Sequence, residues 1–276
     1  MKKIVTILGA RPQFVKAAVL SRIISKYNTV EEVIVHTGQH YDVNMSDIFF
    51  SEMEIPKPKY NLAINGLSHG AMTGQMLQKI EEVLSIEKPD LVVVYGDTNS
   101  TLAGALAGTK LLIPIFHIEA GLRSFNMKMP EEINRILTDR ISDLLLCPTD
   151  TAIENLQLEG FENRPSKIVK CGDIMKDAVE FYSEFSSEKS NIIAALNLNK
   201  NEFVLATIHL QENTDSIENL KSIFKGLEEI SKNKLVVLPL HPRTKAILIK
   251  ENLHFNLKII DPVGYFDMLE LLKYCN

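Results

Sequence analysis

The chain of 276 residues is long enough for two domains of ordinary size, and its hydrophobic content of 45% excludes a disordered or fibrous protein. The formal net charge of −5 argues against nucleic acid or an acidic membrane as a partner bound by bulk charge. No stretch approaches the roughly 18 apolar residues of a membrane span, and the N-terminal apolar run is too short for a signal peptide. The three cysteines form no CxxC pair. We therefore expect a cytoplasmic protein that has no membrane segment, disulfide or zinc site.

Short runs rich in Val, Ile and Leu recur along the whole chain. Because they are continuously hydrophobic rather than alternating, they are typical of strands buried on both faces of a parallel sheet. Nine such strands are predicted, at residues 4–8, 32–36, 91–95, 113–118, 144–147, 167–169, 203–208, 235–238 and 257–260. The stretches between them have helical periodicity, so the βαβα order predicts an α/β fold with two Rossmann-like, doubly wound parallel sheets.

Three helices stand out between these strands. One begins at Pro12, a second covers residues 68–83, and a third begins at Pro130. The predicted apolar face of the third helix comprises Ile133, Ile136, Leu137 and Ile141.

A polar segment rich in Ser, Asn and Lys covers residues 183–202 and predicts a crossing between two domains. We assign residues 1–172 to an N-terminal Rossmann-like domain and residues 173–276 to a C-terminal one. The second domain holds only three of the predicted strands, so we expect it to be incomplete.

The first strand runs into Gly9-Ala10-Arg11-Pro12, and the helix that follows carries Lys16 one turn in. A glycine turn at a helix N-terminus with basic residues beside it is suited to binding phosphate. The turn has neither the GxGxxG pattern nor the Walker A spacing, which argues against a nicotinamide or P-loop site. The alternative is a tight βα turn with solvated basic side chains.

Several carboxylates follow the predicted strands of the first domain. Asp97 and Glu119 each come one or two residues after an apolar run, and Glu131 and Glu132 open the third helix. Because parallel α/β sheets bind ligands at the carboxyl ends of their strands, these acids predict proton-transfer chemistry on a polar substrate. The alternatives are that Asp97 is only a helix N-cap and that Glu131 and Glu132 only complement the helix dipole.

The histidines are weaker candidates for site residues than the carboxylates. His36 and His40 have an HxxxH spacing but straddle a glycine at a strand end rather than sharing a helix face, so no metal site is predicted there. His209 and His241 each end a strand of the second domain. If the sheet is parallel, both histidines face the cleft between the domains.

Several of these segments belong to one longer pattern. In chain order they read GARPQFVKAA, HTGQHYDVNMSDIFF, VYGDTNSTLAGALAG, HIEAGLRSFNMKMPEEINRILTD, LCPTDTA, LPLHPRTK and IIDPVGY. This series strongly resembles the UDP-N-acetylglucosamine 2-epimerase family of the non-hydrolysing bacterial type. The resemblance implies a glycosyltransferase-B-like fold, a UDP-sugar bound in the cleft, a homodimer that packs through the first domain, and inversion at C2 of the sugar without a cofactor or metal.

The resemblance also implies a mechanism in which UDP is eliminated across C1–C2 and re-added after the proton returns on the other face. Asp97, Glu119 and Glu131 are then the acid/base carboxylates, and His209 completes the catalytic set. The residues implied for substrate binding are Arg11, Lys16, Gln39, His40, Arg123, His241 and Met268. The loop at residues 261–268 is expected to approach the uracil.

The sequence leaves alternatives open both for the sugar substrate and for the activity of the chain. The GARPQ, NMSDIFF and SFNMKMPEEINR segments are most similar to members acting on UDP-2,3-diacetamido-2,3-dideoxy-glucuronate, so this sugar competes with UDP-N-acetylglucosamine; either epimerisation would serve surface polysaccharide synthesis. Leu210 replaces an arginine of the family pattern, and the later phosphate-gripping segment of the family is not found. The competing hypotheses are an inactive, truncated remnant with a binding role or none, a hydrolysing relative, and more distantly a sugar transferase.

Overall fold

The computed structural model of the chain describes residues 1–39, 53, 55–208 and 216–276. It divides into two compact units, unit 1 (Met1–Ala178) and unit 2 (Val179–Asn276). The division falls within a helix, Ile174–Ser183, and residues 183–202 contain two further short helices. The segment predicted as the polar crossing therefore contains short helices separated by turns. The functional assignment of the two domains stays a prediction.

Unit 1 is built on a parallel sheet of seven strands. The strands are β1 (Lys2–Leu8), β2 (Val30–His36), β3 (Tyr60–Asn61), β4 (Leu91–Tyr95), β5 (Ile115–Ile118), β6 (Leu144–Cys147) and β7 (Lys167–Lys170). Their order across the sheet is β3-β2-β1-β4-β5-β6-β7, so the direction of winding reverses between β1 and β4. The α/β prediction is confirmed. The sequence missed β3 because two residues at the edge of a sheet carry no periodicity.

Unit 2 contains a smaller parallel sheet. Its strands are β8 (Phe203–Leu205), β9 (Leu235–Pro239) and β10 (Lys258–Ile260), in the order β10-β9-β8. The predicted strand at residues 203–208 is shorter than expected. The core of this unit includes Leu220, Phe224 and Leu238, all 0% exposed.

Helices connect the strands throughout the described residues. In unit 1 they are α1 (Arg11–Ile24), α2 (His69–Glu87), α3 (Asn99–Lys110), α4 (Pro130–Ile141) and α5 (Asp150–Leu158). From the unit boundary onward they are α6 (Ile174–Ser183), α7 (Ser186–Lys189), α8 (Ile192–Ala195), α9 (Ile217–Ser231), α10 (Pro242–Lys250) and α11 (Tyr265–Tyr274). Among these described residues, no helix is both long enough and apolar enough to cross a membrane.

Small residues bring α3 close to the sheet. A Cβ atom added at Gly108 would lie 2.5 Å from the Cδ1 atom of Ile115 on β5, and one added at Gly104 would lie 3.0 Å from Ile7 on β1. The run LAGALAG therefore fits a helix packed tightly over the centre of the sheet. This packing sets the N-terminus of α3 against the carboxyl end of β4.

The apolar face predicted for α4 is not buried within the chain. Ile133 and Leu137 are 41% and 46% exposed, whereas Glu132, Asn134 and Asp139 are buried. The inward side of α4 makes polar contacts instead, through Glu132, Asn134 and Asp139. Hydropathy alone does not separate a core face from an outward apolar face.

A carboxylate at the end of α2 is held by three donors. Glu87 accepts hydrogen bonds from Lys59 Nζ at 2.6 Å, Tyr60 Oη at 2.6 Å and Lys3 Nζ at 3.0 Å. The bonds from Lys59 and then Tyr60 outweigh burial and lower the pKa of Glu87 from 4.5 to about 2. This carboxylate therefore stabilises the fold in its ionised form.

We expect Glu87→Gln to lower the free energy of unfolding at neutral pH by about 1–2 kcal/mol, a figure discounted because Lys59 is half exposed. Since the folded pKa is lowered, the contribution is present above pH 4.5 and is lost as the pH falls towards about 2. Urea unfolding across this pH range measures it. Glu82→Gln, on the exposed side of α2, is the matched control and should change little. Equal effects of both substitutions at neutral pH would contradict the prediction.

Candidate active site

The candidate site lies at the carboxyl ends of β1 and β4, where the winding of the sheet reverses. In doubly wound sheets this is where ligands bind, because the two connecting loops diverge and leave a crevice. The turn after β1 carries Gly9, Ala10 and Arg11, and the turn after β4 carries Gly96 and Asp97. Both turns were predicted from sequence as site segments.

A buried glutamine joins these two turns. Gln13, 1% exposed, accepts hydrogen bonds from the Gly9 and Ala10 amides at 2.8 and 3.0 Å. Its Nε2 atom donates to the Tyr95 carbonyl oxygen at 2.8 Å and is 3.0 Å from the Thr101 hydroxyl. Gln13 was not among the predicted site residues. Its buried amide uses both its donor and its acceptor, so it fixes the spacing of the two turns.

Lys16 and Glu119 form an ion pair at the centre of this region. The Lys16 Nζ atom donates to Glu119 Oε2, and the two side chains are 10% and 17% exposed. Glu119 follows β5 with a left-handed backbone at φ 71°, which costs a non-glycine residue energy and is frequent at functional sites. The structure thus brings the predicted phosphate-binding lysine against one of the predicted carboxylates.

Gly96 leaves room for that ion pair. It has φ 61°, and a Cβ atom added there would lie 3.3 Å from Glu119 Oε2 and 3.5 Å from Lys16 Nζ. A side chain at this position would therefore both strain the backbone and enter the space beside the two charged groups.

Asp97 belongs to the same electrostatic cluster. Its Oδ2 atom lies 2.6 Å from an Arg135 nitrogen, and the carboxylate is 34% exposed. Burial raises the pKa of Asp97 above its ordinary value of 3.8; Arg135 and Lys16 oppose this rise, and the negative charges of Glu119 and Glu131 add to it. Asp97 is thus a carboxyl group suited to exchanging a proton, with the other two predicted carboxylates close enough to influence it.

The alternative that Asp97 is only a helix cap is wrong. Thr98 is the N-cap of α3, and its side chain accepts a hydrogen bond from the Thr101 amide at 3.2 Å. The Asp97 carboxylate is left to pair with Arg135, while its backbone carbonyl accepts from Asn134 Nδ2 at 2.9 Å.

The two glutamates at the start of α4 have different environments. Glu131 is exposed, whereas Glu132 is 1% exposed and accepts from the Ser124 and Phe125 amides at 2.9 and 2.8 Å. Although burial opposes it, hydrogen bonding from Ser124 and Phe125 lowers the pKa of Glu132. Glu132 therefore anchors the loop before α4, whereas the Glu131 side chain is exposed.

Arg123 is placed away from the carboxylate cluster. Its guanidinium, 1% exposed, donates to Asp139 Oδ2 at 2.8 Å and pairs with Glu159 through bonds of 2.6 and 3.0 Å. Its NH1 group also donates to the Leu122 carbonyl. Because these contacts occupy the guanidinium, the structure gives Arg123 a part in a buried ion network rather than in lining a sugar site.

The remaining predicted residues are spread more widely. Gln39 accepts from the Ser100 amide at 3.1 Å and hydroxyl at 2.8 Å, which ties it to the N-terminus of α3. Arg11 is the half-buried first residue of α1. In unit 2, His241 is the exposed N-cap of α10, and Met268 is half-buried in α11.

Two predicted residues, His40 and His209, lie outside the described residues, as does Leu210. The expected loop at residues 261–268 is a loop only as far as Gly264, because α11 begins at Tyr265. Within the described part of the chain, no three His, Cys, Asp or Glu side chains are grouped so as to hold a metal ion.

No role was predicted for His117, Asn134 and Asp139, which lie beside the site in the structure. His117 Nε2 is 2.7 Å from the Gly96 carbonyl oxygen, and its Nδ1 is 2.7 Å from Asp139 Oδ1. Two features of the sequence could have indicated these residues. One was the polar side of α4, which lies opposite its apolar face. A second was a histidine inside a predicted buried strand, two residues before Glu119.

Taken together, the site places three carboxylates around one lysine and one arginine. Carboxylates can remove and return a proton, and the cations can stabilise negative charge that develops on a leaving group. Such a site can carry out proton abstraction coupled to the departure of an anion.

Comparison with known proteins finds that the chain is similar to UDP-sugar 2-epimerases. The family model described as UDP-N-acetylglucosamine 2-epimerase matches residues 22–276. The chain is 55% identical over 272 residues to the UDP-2,3-diacetamido-2,3-dideoxy-D-glucuronate 2-epimerase of Pseudomonas aeruginosa, a match that covers 98% of this chain and 75% of that protein.

Solved structures agree in fold. The crystal structure of Methanocaldococcus jannaschii UDP-GlcNAc 2-epimerase in complex with UDP-GlcNAc and UDP matches with a TM-score of 0.89 and 45% identity, over 100% of this chain and 77% of that chain. The Neisseria meningitidis UDP-GlcNAc 2-epimerase bound to UDP-GlcNAc matches with a TM-score of 0.88 and 31% identity, over 99% of this chain and 76% of that chain.

Proposed function

The chain belongs to the UDP-N-acetylglucosamine 2-epimerase family, and we propose that it interconverts UDP-N-acetylglucosamine and UDP-N-acetylmannosamine by inverting C2 of the sugar, in support of surface polysaccharide synthesis. The observation that carries this proposal is the cluster of Asp97, Glu119 and Glu131 around Lys16 and Arg135 at the winding reversal of the unit 1 sheet. This cluster has the groups that an elimination and re-addition of UDP requires.

In the proposed reaction, a carboxylate removes the C2 proton, and the electrons of the C2–H bond form a C1=C2 double bond. The C1–oxygen bond breaks, and its electron pair leaves with UDP. A proton is then delivered to the opposite face of C2 while UDP attacks C1. The elimination therefore needs a carboxylate that accepts the C2 proton, and the re-addition needs a carboxyl group that supplies a proton to the opposite face.

Asp97 and Glu119 are suited to these two tasks. Both are ion-paired, Glu119 with Lys16 and Asp97 with Arg135, and burial raises the pKa of Asp97, which makes this carboxyl group the easier one to protonate. Glu131 is the third carboxyl group of the cluster, and in this proposal it assists proton transfer from the exposed side. Lys16 and Arg11 would neutralise the departing diphosphate.

We assign His241 and Met268 to contacts with the nucleotide, and His40 and His209 to contacts with the sugar and diphosphate. The basis for these assignments is family resemblance: HTGQHYD contains His40, LPLHPRTK contains His241, and Met268 follows IIDPVGY. His209 opens the segment His209-Leu210-Gln211-Glu212-Asn213, which corresponds to HRxEN in the family pattern.

A second substrate is favoured by one specific observation. The 55% identity to the Pseudomonas aeruginosa enzyme, against 45% to the structure from Methanocaldococcus jannaschii, favours UDP-2,3-diacetamido-2,3-dideoxy-glucuronate. The chemistry at C2 is the same for both sugars, so the same carboxylates would serve.

The test is proton exchange in D2O. The purified chain is incubated separately with each of the two UDP-sugars, and proton NMR follows the C2 signal and the manno isomer. We expect loss of the C2 proton signal together with the epimer for the true substrate. No exchange with either sugar, from protein whose circular dichroism is that of a folded chain, would contradict the proposal. Accumulation of free ManNAc would instead identify a hydrolysing enzyme.

We also propose that the chain forms a homodimer through unit 1. Support comes from the outward apolar face of α4, where Ile133 and Leu137 are exposed, and from Phe125, 76% exposed in the preceding loop. Sedimentation velocity is expected to show a dimer that the double substitution Ile133→Glu, Leu137→Glu converts to a monomer. A native chain that stays monomeric at all concentrations would contradict this proposal.

A further inference from the structure

Three consecutive backbone carbonyls at the end of β4 are each held by a buried side chain. Gln13 donates to the Tyr95 carbonyl oxygen at 2.8 Å, and Asn134 donates to that of Asp97 at 2.9 Å. Between them, His117 Nε2 lies 2.7 Å from the Gly96 carbonyl oxygen. The backbone that carries the Asp97 carboxylate is therefore fixed at three successive peptide units.

His117 differs from the other two because both of its ring nitrogens face acceptors. The Gly96 carbonyl oxygen can only accept a hydrogen bond, so Nε2 must donate. Nδ1 lies 2.7 Å from Asp139 Oδ1, and both side chains are 0% exposed. Either the ring carries two protons and is cationic, or the proton between them belongs to Asp139.

The surrounding charges favour the cationic ring. Asp139 Oδ2 accepts from Arg123 NH1 at 2.8 Å and from the Gly121 amide at 3.1 Å, as expected of an ionised carboxylate. Glu159 pairs with the other side of the same guanidinium. A proton on Asp139 would leave the Arg123 guanidinium without this buried counter-charge, whereas a charged His117 keeps Asp139 ionised for both cations.

The negative charge of Asp139 also affects the pKa of one further side chain, Cys147. Burial and then the negative charge of Asp139 raise the pKa of Cys147 on β6 to about 12, so this thiol stays neutral. Among the described residues, the charged groups that contact His117 or its partner Asp139 are thus Asp139 itself from α4 and Arg123 from the loop after β5. Glu159, at the end of α5, lies beyond Arg123.

We propose that His117 is a positively charged positioning residue, which holds the Gly96–Asp97 turn and keeps its charge through Asp139. This inference rests on the proposed function, since the role it serves is the orientation of Asp97 for proton transfer. The Gly96 carbonyl and the Asp97 amide belong to one peptide unit. A cation bonded to that carbonyl polarises the peptide and strengthens its positive end next to the Asp97 side chain.

The charge itself is measured by nitrogen-15 NMR of protein labelled at histidine. We expect both His117 ring nitrogens to carry a proton at neutral pH, because each of them lies 2.7 Å from an oxygen acceptor. A His117 ring with one unprotonated nitrogen at neutral pH would overturn the proposal, because the shared proton would then belong to Asp139.

The positioning role is measured with two substitutions. His117→Gln keeps a donor for the Gly96 carbonyl but removes the charge, and His117→Leu removes both. We expect kcat to fall about tenfold for the first and about 100-fold or more for the second, with KM changed less than about threefold. His254→Gln is the matched control and should leave the rate unchanged. Equal rates for native protein and His117→Leu would overturn the role.

A structural readout separates this proposal from the proposed function. The Gly96 amide donates to the Ile118 carbonyl at 2.9 Å, and its hydrogen exchange reports the order of the turn. We expect exchange about tenfold faster in His117→Leu and an intermediate value in His117→Gln. If native protein shows no C2 exchange, the epimerase proposal fails, while ring protonation and Gly96 exchange still decide the role of His117.

Discussion

Asp97→Asn is expected to lower kcat by about 10²–10⁴-fold, the range for removal of a general acid or base. Asparagine keeps the size of the side chain and an oxygen that can accept from Arg135, which lies 2.6 Å from Asp97. The substitution therefore removes the proton-exchanging group while leaving the turn and the ion pair of Lys16 with Glu119 in place. The rate of C2 proton exchange in D2O measures the effect for either UDP-sugar.

Asp90→Asn provides the matched control for this change. Asp90 lies just before β4, whereas Asp97 lies just after it. The Asp90 carboxylate accepts a hydrogen bond from the Lys3 amide at 2.8 Å, at the edge of the sheet opposite the candidate site. We expect its substitution to alter kcat by less than about twofold, because exposed charge pairs contribute little. An Asp97→Asn protein that keeps more than about a tenth of the native rate would show that another group performs the proton transfer.

Gly121→Ala is expected to cost about 2–5 kcal/mol of unfolding free energy. Gly121 has φ 80°, a conformation that costs alanine about 1–2 kcal/mol. A Cβ atom there would lie 2.3 Å from the Ala152 carbonyl oxygen, so the backbone must shift, at about 1–3 kcal/mol more. That backbone is fixed by the bond from its amide to Asp139 and by Asn155, which donates to its carbonyl at 3.0 Å.

Gly160→Ala separates the two contributions. Gly160 has nearly the same backbone angle, φ 79°, but an added Cβ atom would meet nothing within 4 Å. We expect it to cost only about 1 kcal/mol, so the difference between the two variants measures the clash with Ala152. Urea unfolding followed by circular dichroism gives both values. Equal losses would mean that the backbone near Gly121 relaxes freely.

The elements that sequence predicted well are those whose signal is local. The runs at residues 91–95 and 144–147 became β4 and β6 with the predicted bounds, because a short, continuously apolar run bounded by turn residues is typical of a buried strand. The two turns that carry Arg11 and Asp97 could be assigned to one site, because parallel strands share a carboxyl edge.

What sequence could not predict depends on contacts between distant residues. Arg123 was expected at the sugar, but Asp139 and Glu159 surround its guanidinium, and neither is its neighbour in sequence. Gln13 gives no sign in sequence that it joins the turn after β1 to Tyr95. The roles proposed for His40 and His209 stay predictions.

The inward polar side of α4 has a consequence for how this helix can vary. Glu132 anchors the preceding loop, Asn134 holds the Asp97 carbonyl, and Asp139 receives His117, all within about two turns of one helix. Each residue added to an α-helix rotates everything after it by about 100°. A single insertion between Glu132 and Asn134 would keep the loop but turn Asn134 and Asp139 away from the sheet. Length changes in this helix should therefore be far less tolerated than substitutions on its outer face.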